Sequence, residues 1–343
     1  MRLGVLTSGG DCPGLNAVIR AVVRKVERSY DGTVIGFLDG YQGLMDDRYE
    51  VLTVDRCRGV LPRGGTILGT SREQPYGVEG GLEQVRGTMA RRGLDGLVVI
   101  GGNGSLGAAR DLHDDGIPVV GVPKTIDNDL AVTEVTFGFD TAVQTATDAI
   151  DRLHTTAESH DRVMLVEVMG RHVGHIAAWS GIAGGASMIL VPEEPFVLDE
   201  VCDALRRRHE QGRFASIVVV AEGAVPAEDS GFRLPETTVD QYGHQRLGGI
   251  AHALAPEIEA RTGFETKVVV LGYVQRGGTP TAGDRVLATR FGVAAAEACH
   301  DGAWGTMVAV AAGEIRRVDL HAAVEGPKPV AADINEVAKI FFA

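Results

Sequence analysis

The sequence is poor in cysteine and aromatic residues, and basic charge is in the minority. Its four cysteines show no C-x-x-C spacing, which argues against a disulfide framework or a cysteine-based metal site. Lysine and arginine number 33 against 46 aspartates and glutamates, and the net charge of −13 argues against nonspecific binding of nucleic acid. No apolar run approaches the roughly 18 residues of a membrane span, and the first residues do not resemble a signal peptide. We therefore expect a cytoplasmic protein with reduced cysteines and neither a nucleic-acid nor a membrane partner.

Glycine and short apolar runs are abundant instead. The chain has 343 residues, enough for about two domains of ordinary size, and 46 of them are glycine. Between Leu15 and Val26, apolar residues recur at helical spacing and predict an amphipathic helix. Residues 224–248 are polar and turn-rich, which predicts an excursion between two strands. Nine runs are almost wholly apolar, as in parallel strands covered on both faces, and they predict an α/β fold: Arg2–Thr7, Thr33–Leu38, Gly96–Ile100, Pro118–Val122, Val163–Val168, Met188–Val191, Ile217–Ala221, Val268–Leu271 and Met307–Ala311.

The first glycine-rich turn follows the first predicted strand and reads SGGDCPGLN. Glycines let the backbone approach an anion closely, and amides at the start of a helix favour negative charge. The spacing from Gly9 to Gly14 resembles a P-loop, but Leu15 and Asn16 stand where that motif requires lysine and serine or threonine. The segment is therefore either a phosphate-binding turn without the P-loop lysine or an ordinary tight turn between strand and helix.

A second glycine-rich turn, GGNGSLG, begins at Gly101. Gly102, Gly104 and Gly107 satisfy the G-x-G-x-x-G pattern of dinucleotide-binding enzymes, so an NAD-dependent oxidoreductase is one alternative. That fingerprint normally follows the first strand, however, and no acidic residue ends the next apolar run to hold a ribose. The pattern taken alone is a weak indication.

The segment PKTIDND, residues 123–129, crowds charged and polar groups at the end of another strand. Asp127 or Asp129 could accept a proton from an attacking hydroxyl or hold magnesium there. Arginines also follow strands beside glycines, at Arg72, Arg171 and Arg276. Guanidinium groups in such places suit bidentate recognition of phosphate. Taken singly, the PKTIDND segment is as typical of a turn as of a site, and an arginine in such a place is more often solvated or salt-bridged.

Taken in order, these segments closely resemble the bacterial-type 6-phosphofructokinase family, in particular its actinobacterial type. The matching segments are MRLGVLTSGGDCPGLNAVIR, GGTILGTSR, GGNGS, PKTIDND, RVMLVEVMGR, VVVAEG and VLGYVQRGGTPTAGDRVLATRFG. The resemblance implies two Rossmann-like domains with mainly parallel sheets, 1–138 plus 275–325 for the phosphoryl donor and 139–274 plus 326–343 for the sugar phosphate. It also implies a homotetramer or homodimer with shared active sites. The implied glycolytic reaction transfers the γ-phosphoryl group of ATP, with Mg²⁺, to the 1-hydroxyl of fructose 6-phosphate and gives fructose 1,6-bisphosphate.

The resemblance further implies a role for each site residue. Asp127 would be the general base, Thr125 and Asp129 would hold the reacting groups, and Arg171 would stabilise the transferred phosphoryl group. The implied metal site comprises Asn103 and Asp129. The donor would be bound by Gly10, Arg72, Gly102, Gly104, Ser105 and Lys124, with Tyr41 nearer the nucleoside. The acceptor would be bound by Met169, Gly170 and Glu222, and its phosphate by Tyr273 and Arg276 together with Arg162 and Lys267 of a neighbouring subunit.

Several positions depart from the family pattern. Gly104 is typical of ATP-dependent members because it leaves room for the α-phosphate, whereas Lys124 is typical of pyrophosphate-dependent ones. We expect ATP, with pyrophosphate as the alternative. Asn103 replaces an acidic residue, Lys267 an arginine and Tyr273 a histidine, so a second alternative is a paralogue that phosphorylates another ketose phosphate. A third is a catalytically weak regulatory subunit, which only Asn103 supports.

Overall fold

The chain divides into two units, and it passes through each of them twice. The computed structural model describes residues 1–228, 230–234 and 248–341. Unit 1 comprises Met1–Thr141 and Arg276–Pro327, and unit 2 comprises Ala142–Gln275 and Lys328–Ala343. Gln275 and Arg276, neighbours in sequence, therefore belong to different units. Of the excursion predicted for residues 224–248, position 229 and positions 235–247 lie outside the described residues.

Two sheets organise the described strands. In the described residues the strands are β1 (Arg2–Thr7), β2 (Thr33–Phe37), β3 (Tyr49–Leu52), β4 (Gly96–Gly101), β5 (Val119–Pro123), β6 (Val163–Val168), β7 (Met188–Leu190), β8 (Ser216–Ala221), β9 (Thr266–Val270), β10 (Thr306–Ala311) and β11 (Glu314–Asp319). The sheet of unit 1 has the order β11-β10-β5-β4-β1-β2-β3, and that of unit 2 has the order β7-β8-β6-β9. All strand pairs are parallel except β2 with β3 and β10 with β11.

Helices alternate with these strands, as doubly wound α/β folds require. The described helices are α1 (Leu15–Tyr30), α2 (Tyr41–Met45), α3 (Gly81–Arg92), α4 (Asn103–Asp114), α5 (Phe139–His160), α6 (His175–Ala183), α7 (Leu198–Glu210), α8 (Ile250–Thr262), α9 (Ala282–His300), α10 (Leu320–Ala323) and α11 (Ala332–Ile340). In α1 the predicted apolar stripe from Leu15 to Val26 is buried. None of the helices in the described ranges is long and apolar enough to cross a bilayer.

The predicted fold class, α/β with mainly parallel sheets, is confirmed. Each of the nine predicted strands has a counterpart, with ends displaced by two residues at most. The strands β3 and β11 were not predicted, and both are antiparallel strands at the edges of the sheet in unit 1. In β11 the residues are exposed or half-buried throughout, so the apolar run that marks a buried parallel strand is missing.

The order of the parallel strands brings distant segments of the chain together. In unit 1, β5, β4 and β1 are neighbours, so the segments that follow them lie at one edge of the sheet. Those segments carry Lys124–Asp129, Gly102–Ser105 and Ser8–Gly10. In unit 2, β8, β6 and β9 are neighbours in the same way, and Glu222, Met169–Arg171 and Gly272 follow them. Ligands in open α/β sheets bind at this edge.

Asp284, near the start of α9, forms hydrogen bonds with Gly138 and Thr141 at the start of α5. Its carboxylate accepts hydrogen bonds from the Gly138 and Thr141 amides, at 2.9 and 2.8 Å, and from Thr141 Oγ1 at 2.6 Å. Burial nevertheless outweighs these bonds and raises the pKa of Asp284 from 3.8 to about 6. Because the folded state holds this proton more tightly, the contribution of Asp284 to stability is largest at low pH. It falls as the pH rises from about 4 to about 6.

This raised pKa gives a testable pH dependence of stability. From the pKa difference we expect the wild-type protein to lose on the order of 2–3 kcal/mol, relative to Asp284→Asn, as the pH rises from 4 to 6.5. Urea denaturation of both proteins across this range measures the difference. A difference that does not change with pH would contradict the assignment.

Candidate active site

Three loops of unit 1 meet through hydrogen bonds at the edge where β5, β4 and β1 end. The Lys124 amide donates to Gly101 O at 2.9 Å, and the Ser8 amide donates to Ile100 O at 3.0 Å. The approach is close: a Cβ built on Gly9 would lie 3.2 Å from Ser105 Oγ and 3.7 Å from Lys124 Nζ. The predicted donor-binding and catalytic segments of unit 1 are thus brought together.

The loop after β5 holds the predicted general base. Asp127 is only 9 % exposed. Its backbone amide donates to Thr125 Oγ1 at 3.0 Å, which fixes the position of the residue. Thr136 secures the loop from outside, because its hydroxyl donates to Thr125 O at 2.7 Å. Asn128 has a positive φ of 53° and accepts from the Thr136 amide at 3.1 Å. The loop is therefore held by hydrogen bonds within it and by Thr136 beyond it.

Two cations approach Gly10 within unit 1. Lys124 Nζ donates to Gly10 O, and the guanidinium of Arg276 lies where a Cβ on Gly10 would project. Burial lowers the pKa of Lys124, and the positive charge of Arg276 lowers it further. Positive charge gathered at a glycine-rich turn suits a polyphosphate. Sequence reasoning had grouped Arg276 with the acceptor phosphate, whereas here its side chain lies against the donor loop.

Asp129 and Asn103 form the candidate metal site. Asn103 Nδ2 donates to Asp129 Oδ2 at 2.8 Å. Asp129 Oδ1 is buried and has no hydrogen-bond partner in the described part of the chain. A buried acceptor without a partner is costly, and a cation would satisfy it. No group of three or more acidic, histidine or cysteine side chains that could hold a metal occurs among the described residues. The arrangement therefore fits Mg²⁺, which needs one or two protein carboxylates and takes its other ligands from phosphates and water.

The geometry changes the expected part of Asn103. A carboxylate only accepts hydrogen bonds, so the amide must turn its NH₂ group toward Asp129. Asn103 therefore orients Asp129 in this structure, rather than offering its oxygen to a metal at that contact.

The remaining donor residues fall into exposed and buried groups. Arg72 is exposed, and the segment before it is tied to the first loop, since the Gly9 amide donates to Ser71 O at 2.9 Å. Gly104 is exposed as well. Tyr41, in contrast, is fully buried, and its hydroxyl donates to Ser105 O at 2.7 Å. This burial argues against direct contact of Tyr41 with a nucleoside and indicates that it supports the first turn of α4.

In unit 2 the predicted acceptor residues meet around the turn after β6. Glu222 Oε1 accepts from the Gly170 and Arg171 amides at 3.3 and 3.0 Å. Gly170 and Arg171 both have positive φ values, 151° and 57°, and for arginine the left-handed conformation costs roughly 1 kcal/mol or more. The Arg171 side chain is exposed. Glu222 thus holds the backbone of a strained turn, and the turn presents Arg171.

Arg162 and Lys267 lie elsewhere in unit 2. Both pair with Glu265: Arg162 Nε lies 2.7 Å from Oε2, and Lys267 Nζ lies 2.9 Å from Oε1. The hydrogen bond from Arg162, followed by that from Lys267, lowers the pKa of Glu265 to about 2. Arg162 precedes β6 and Met169 follows it, so the two ends are separated by about 20 Å at the rise of a strand. Within one chain, Arg162 and Lys267 therefore do not join Met169.

Tyr273 is placed apart from these pairs, on the turn after β9. Its side chain is 76 % exposed, and Val274 beside it is 61 % exposed. Gln275 follows and is fully buried, with one hydrogen bond to Met169 in the turn after β6 and one to Gly272 in its own turn. Sequence reasoning missed Gln275 and Glu265. A polar residue in a turn has no periodicity to mark it, and the only signal was the position of Gln275 within the YVQRGG segment.

Comparisons with known proteins agree with this arrangement. Residues 2–299 match the family described as Phosphofructokinase. The chain is 56 % identical over 342 residues to a pyrophosphate–fructose 6-phosphate 1-phosphotransferase of Amycolatopsis methanolica, covering 100 % of both. It is also 56 % identical over 330 residues to ATP-dependent 6-phosphofructokinase 3 of Streptomyces coelicolor, covering 96 % of both.

A solved structure extends the likeness to three dimensions. The T-state phosphofructokinase of Pichia pastoris is similar with a TM-score of 0.81 and 32 % identity, over 99 % of this chain and 36 % of the yeast chain. The present chain thus spans about a third of the length of that protein. The segments that carry the resemblance in the sequence lie within the matched residues, apart from Met1. The chain belongs to the phosphofructokinase family.

Proposed function

We propose that the protein transfers the γ-phosphoryl group of ATP to the 1-hydroxyl of fructose 6-phosphate in a magnesium-dependent reaction. The product is fructose 1,6-bisphosphate, as in glycolysis. The proposal is supported by the meeting of three loops in unit 1, in which Lys124, three residues before the buried Asp127, donates to Gly101 O and to Gly10 O. The family relationship supports the same reaction. The NAD-dependent alternative has no support from the family, and the complete set of Thr125, Asp127 and Arg171 argues against an inactive subunit.

The proposed chemistry is general base catalysis combined with charge stabilisation. Asp127 takes the proton of the sugar hydroxyl at its carboxylate as the hydroxyl attacks phosphorus, and the hydrogen bond to Thr125 Oγ1 fixes its backbone. Arg171 stabilises charge on the transferred group, in keeping with its exposed position on a held turn. Bound Mg²⁺ would neutralise charge on the donor phosphates, with Asp129 as its protein ligand and Asn103 as the residue that orients Asp129.

The choice between ATP and pyrophosphate as donor needs a separate argument, because relatives of equal identity are named for each of them. Gly104 favours ATP: a Cβ built on it would meet only Gln74 Nε2, at 3.3 Å, so the surface beside it is open. Lys124, the feature that favours pyrophosphate, is 4 % exposed and already donates to Gly10 O. Its ammonium therefore leaves the surface at Gly104 free for a nucleotide.

The acceptor proposal places Glu222, Met169 and Gly170 at the sugar. Arg162 and Lys267 would bind the phosphate of an acceptor held by a neighbouring subunit, which agrees with their distance from Met169 within one chain. A homotetramer or homodimer follows from this assignment. Lys267 and Tyr273 keep a second candidate open, the phosphorylation of another ketose phosphate, since a lysine lacks the bidentate fork of an arginine.

Steady-state kinetics test the proposal directly. ATP and pyrophosphate are compared with fructose 6-phosphate, and a panel of other ketose phosphates is then compared with the better donor. We expect kcat/KM to be highest for ATP with fructose 6-phosphate. A higher value for pyrophosphate would overturn the donor, and a strong preference for another sugar would overturn the acceptor.

The metal assignment gives a separate prediction. Asp129→Asn removes the carboxylate, one of whose oxygens finds no hydrogen-bond partner among the described residues, so we expect the Mg²⁺ concentration for half-maximal rate to rise about 10-fold or more. Titration of the rate with Mg²⁺ at saturating donor measures this change. Asp95→Asn is a suitable control, because Asp95 accepts from the Arg2 amide at an exposed position. An unchanged Mg²⁺ dependence in Asp129→Asn would remove Asp129 from the metal site.

A further inference from the structure

The buried side chain of Gln275 continues the pairing of two strands beyond their ends. The parallel ladder of β6 and β9 runs to Glu167 and Val270, and the Leu271 amide then donates to Glu167 O at 3.0 Å. Past this point Gln275 Oε1 accepts from the Met169 amide at 3.3 Å, and its Nε2 donates to Gly272 O at 3.0 Å. The side-chain amide therefore stands in for a backbone peptide between the two chain segments.

The turn at residues 169–171 has a strained backbone, and both Gln275 and Glu222 bind it. Three consecutive amides, those of Met169, Gly170 and Arg171, are bound by only two side chains, Gln275 and Glu222. Gly170 and Arg171 have positive φ values, and Gly170 cannot gain a Cβ because it would meet Val173 O at 2.5 Å. A turn of this kind keeps its conformation only where its surroundings determine it.

We propose that Gln275 is a positioning residue for the acceptor sugar phosphate. It sets the conformation of residues 169–171, and it does so without touching substrate, since it is fully buried. The inference rests on the proposed function, in which Met169 and Gly170 bind the acceptor. It assigns a part in acceptor affinity to a residue that no predicted role included.

Two substitutions separate the two hydrogen bonds. Gln275→Met keeps the length of the side chain and removes both bonds. Gln275→Glu keeps an oxygen for the Met169 amide and loses the donor to Gly272 O. We expect Gln275→Met to raise the KM for the acceptor at least 10-fold, with kcat changed less than threefold and the KM for the donor unchanged. Gln275→Glu turns a carboxylate oxygen toward Gly272 O at a fully buried position, so it should raise the same constant as well.

A matched control is available at the other end of β9. Thr262 Oγ1 donates to Ile258 O at 2.6 Å and accepts from the Phe264 amide at 3.2 Å, so Thr262→Val also removes one bond of each kind. We expect Thr262→Val to lower the melting temperature without changing the KM for the acceptor. An equal rise in both KM values in Gln275→Met, or the same kinetic change in Thr262→Val, would reduce Gln275 to a residue of general stability and overturn the inference.

The acceptor is taken as whichever ketose phosphate the wild-type protein turns over. If that sugar is not fructose 6-phosphate, the proposed function fails while the test of Gln275 remains valid. Hydrogen exchange of the amides at 169–171 needs no turnover at all. Faster exchange there in Gln275→Met supports the inference, and unchanged exchange contradicts it.

Discussion

Replacing Asp127 by asparagine should lower kcat by a factor of about 10²–10⁴, the usual contribution of a general base. The loss should appear in kcat and in kcat/KM alike, because the carboxylate takes the proton only as the hydroxyl attacks. Asparagine fills the same space, and the Asp127 amide keeps its bond to Thr125 Oγ1, so binding of both substrates should change little. Initial rates over a range of both substrates measure these constants.

A control for this substitution must remove a carboxylate of the same unit that is not at the edge of the sheet. Asp55→Asn serves, since the Asp55 side chain is exposed and pairs across one turn with Arg58 at 2.8 Å. We expect its kcat to match the wild-type value. Near-normal turnover in Asp127→Asn would take the role of base away from this residue.

The second large effect is expected at Gly104. Gly104→Asp should lower kcat/KM for ATP by 100-fold or more, because a carboxylate would occupy the space assigned to the α-phosphate and repel it. Activity with pyrophosphate should fall much less, because its two phosphates correspond to the transferred and leaving groups and none occupies the α position of ATP. The fold should tolerate the change, since a Cβ at this position meets only the end of the flexible Gln74 side chain.

Ala90, exposed near the end of α3, provides the control. Because α3 leads into the start of β4, Ala90→Asp adds the same charge to a helix of unit 1 at the opposite end of that strand from Gly104. We expect its kcat/KM for ATP to stay within a few-fold of wild type. If Gly104→Asp kept normal activity with ATP, the donor phosphates would have to lie elsewhere.

Much of the fold follows from local patterns in the sequence. The strands β1 and β6 are mostly apolar and are buried on both faces, and the stripe of α1 has a regular period, so short-range chemistry alone marks them. The edge strand β11 was not predicted because it has neither an apolar run nor a regular alternation, and its strand conformation comes from pairing with β10. Only the assembled sheet makes that segment a strand.

The site could be predicted as a set of residues but not as a geometry. Glycines and acidic residues after strands pointed to the loops of unit 1, since parallel strands bring their carboxyl ends to one edge. The direction of a long side chain is a different matter. Arg276 lies against Gly10, and the Tyr41 hydroxyl donates to Ser105 O. Each side chain has several rotamers, and only the packing of the folded protein determines which one it adopts. Asn103 likewise donates to Asp129 only because their backbones place the two groups face to face.

The most direct test of the account is a ³¹P NMR time course of the purified protein with Mg²⁺, ATP and fructose 6-phosphate. We predict that the γ-phosphate resonance of ATP disappears while ADP and a second sugar phosphomonoester, at the 1-position, grow in equal amounts. Addition of a chelator should stop the conversion. Spectra in which ATP and the sugar phosphate stay unchanged with folded protein would contradict the account, as would conversion of the sugar phosphate only when pyrophosphate replaces ATP.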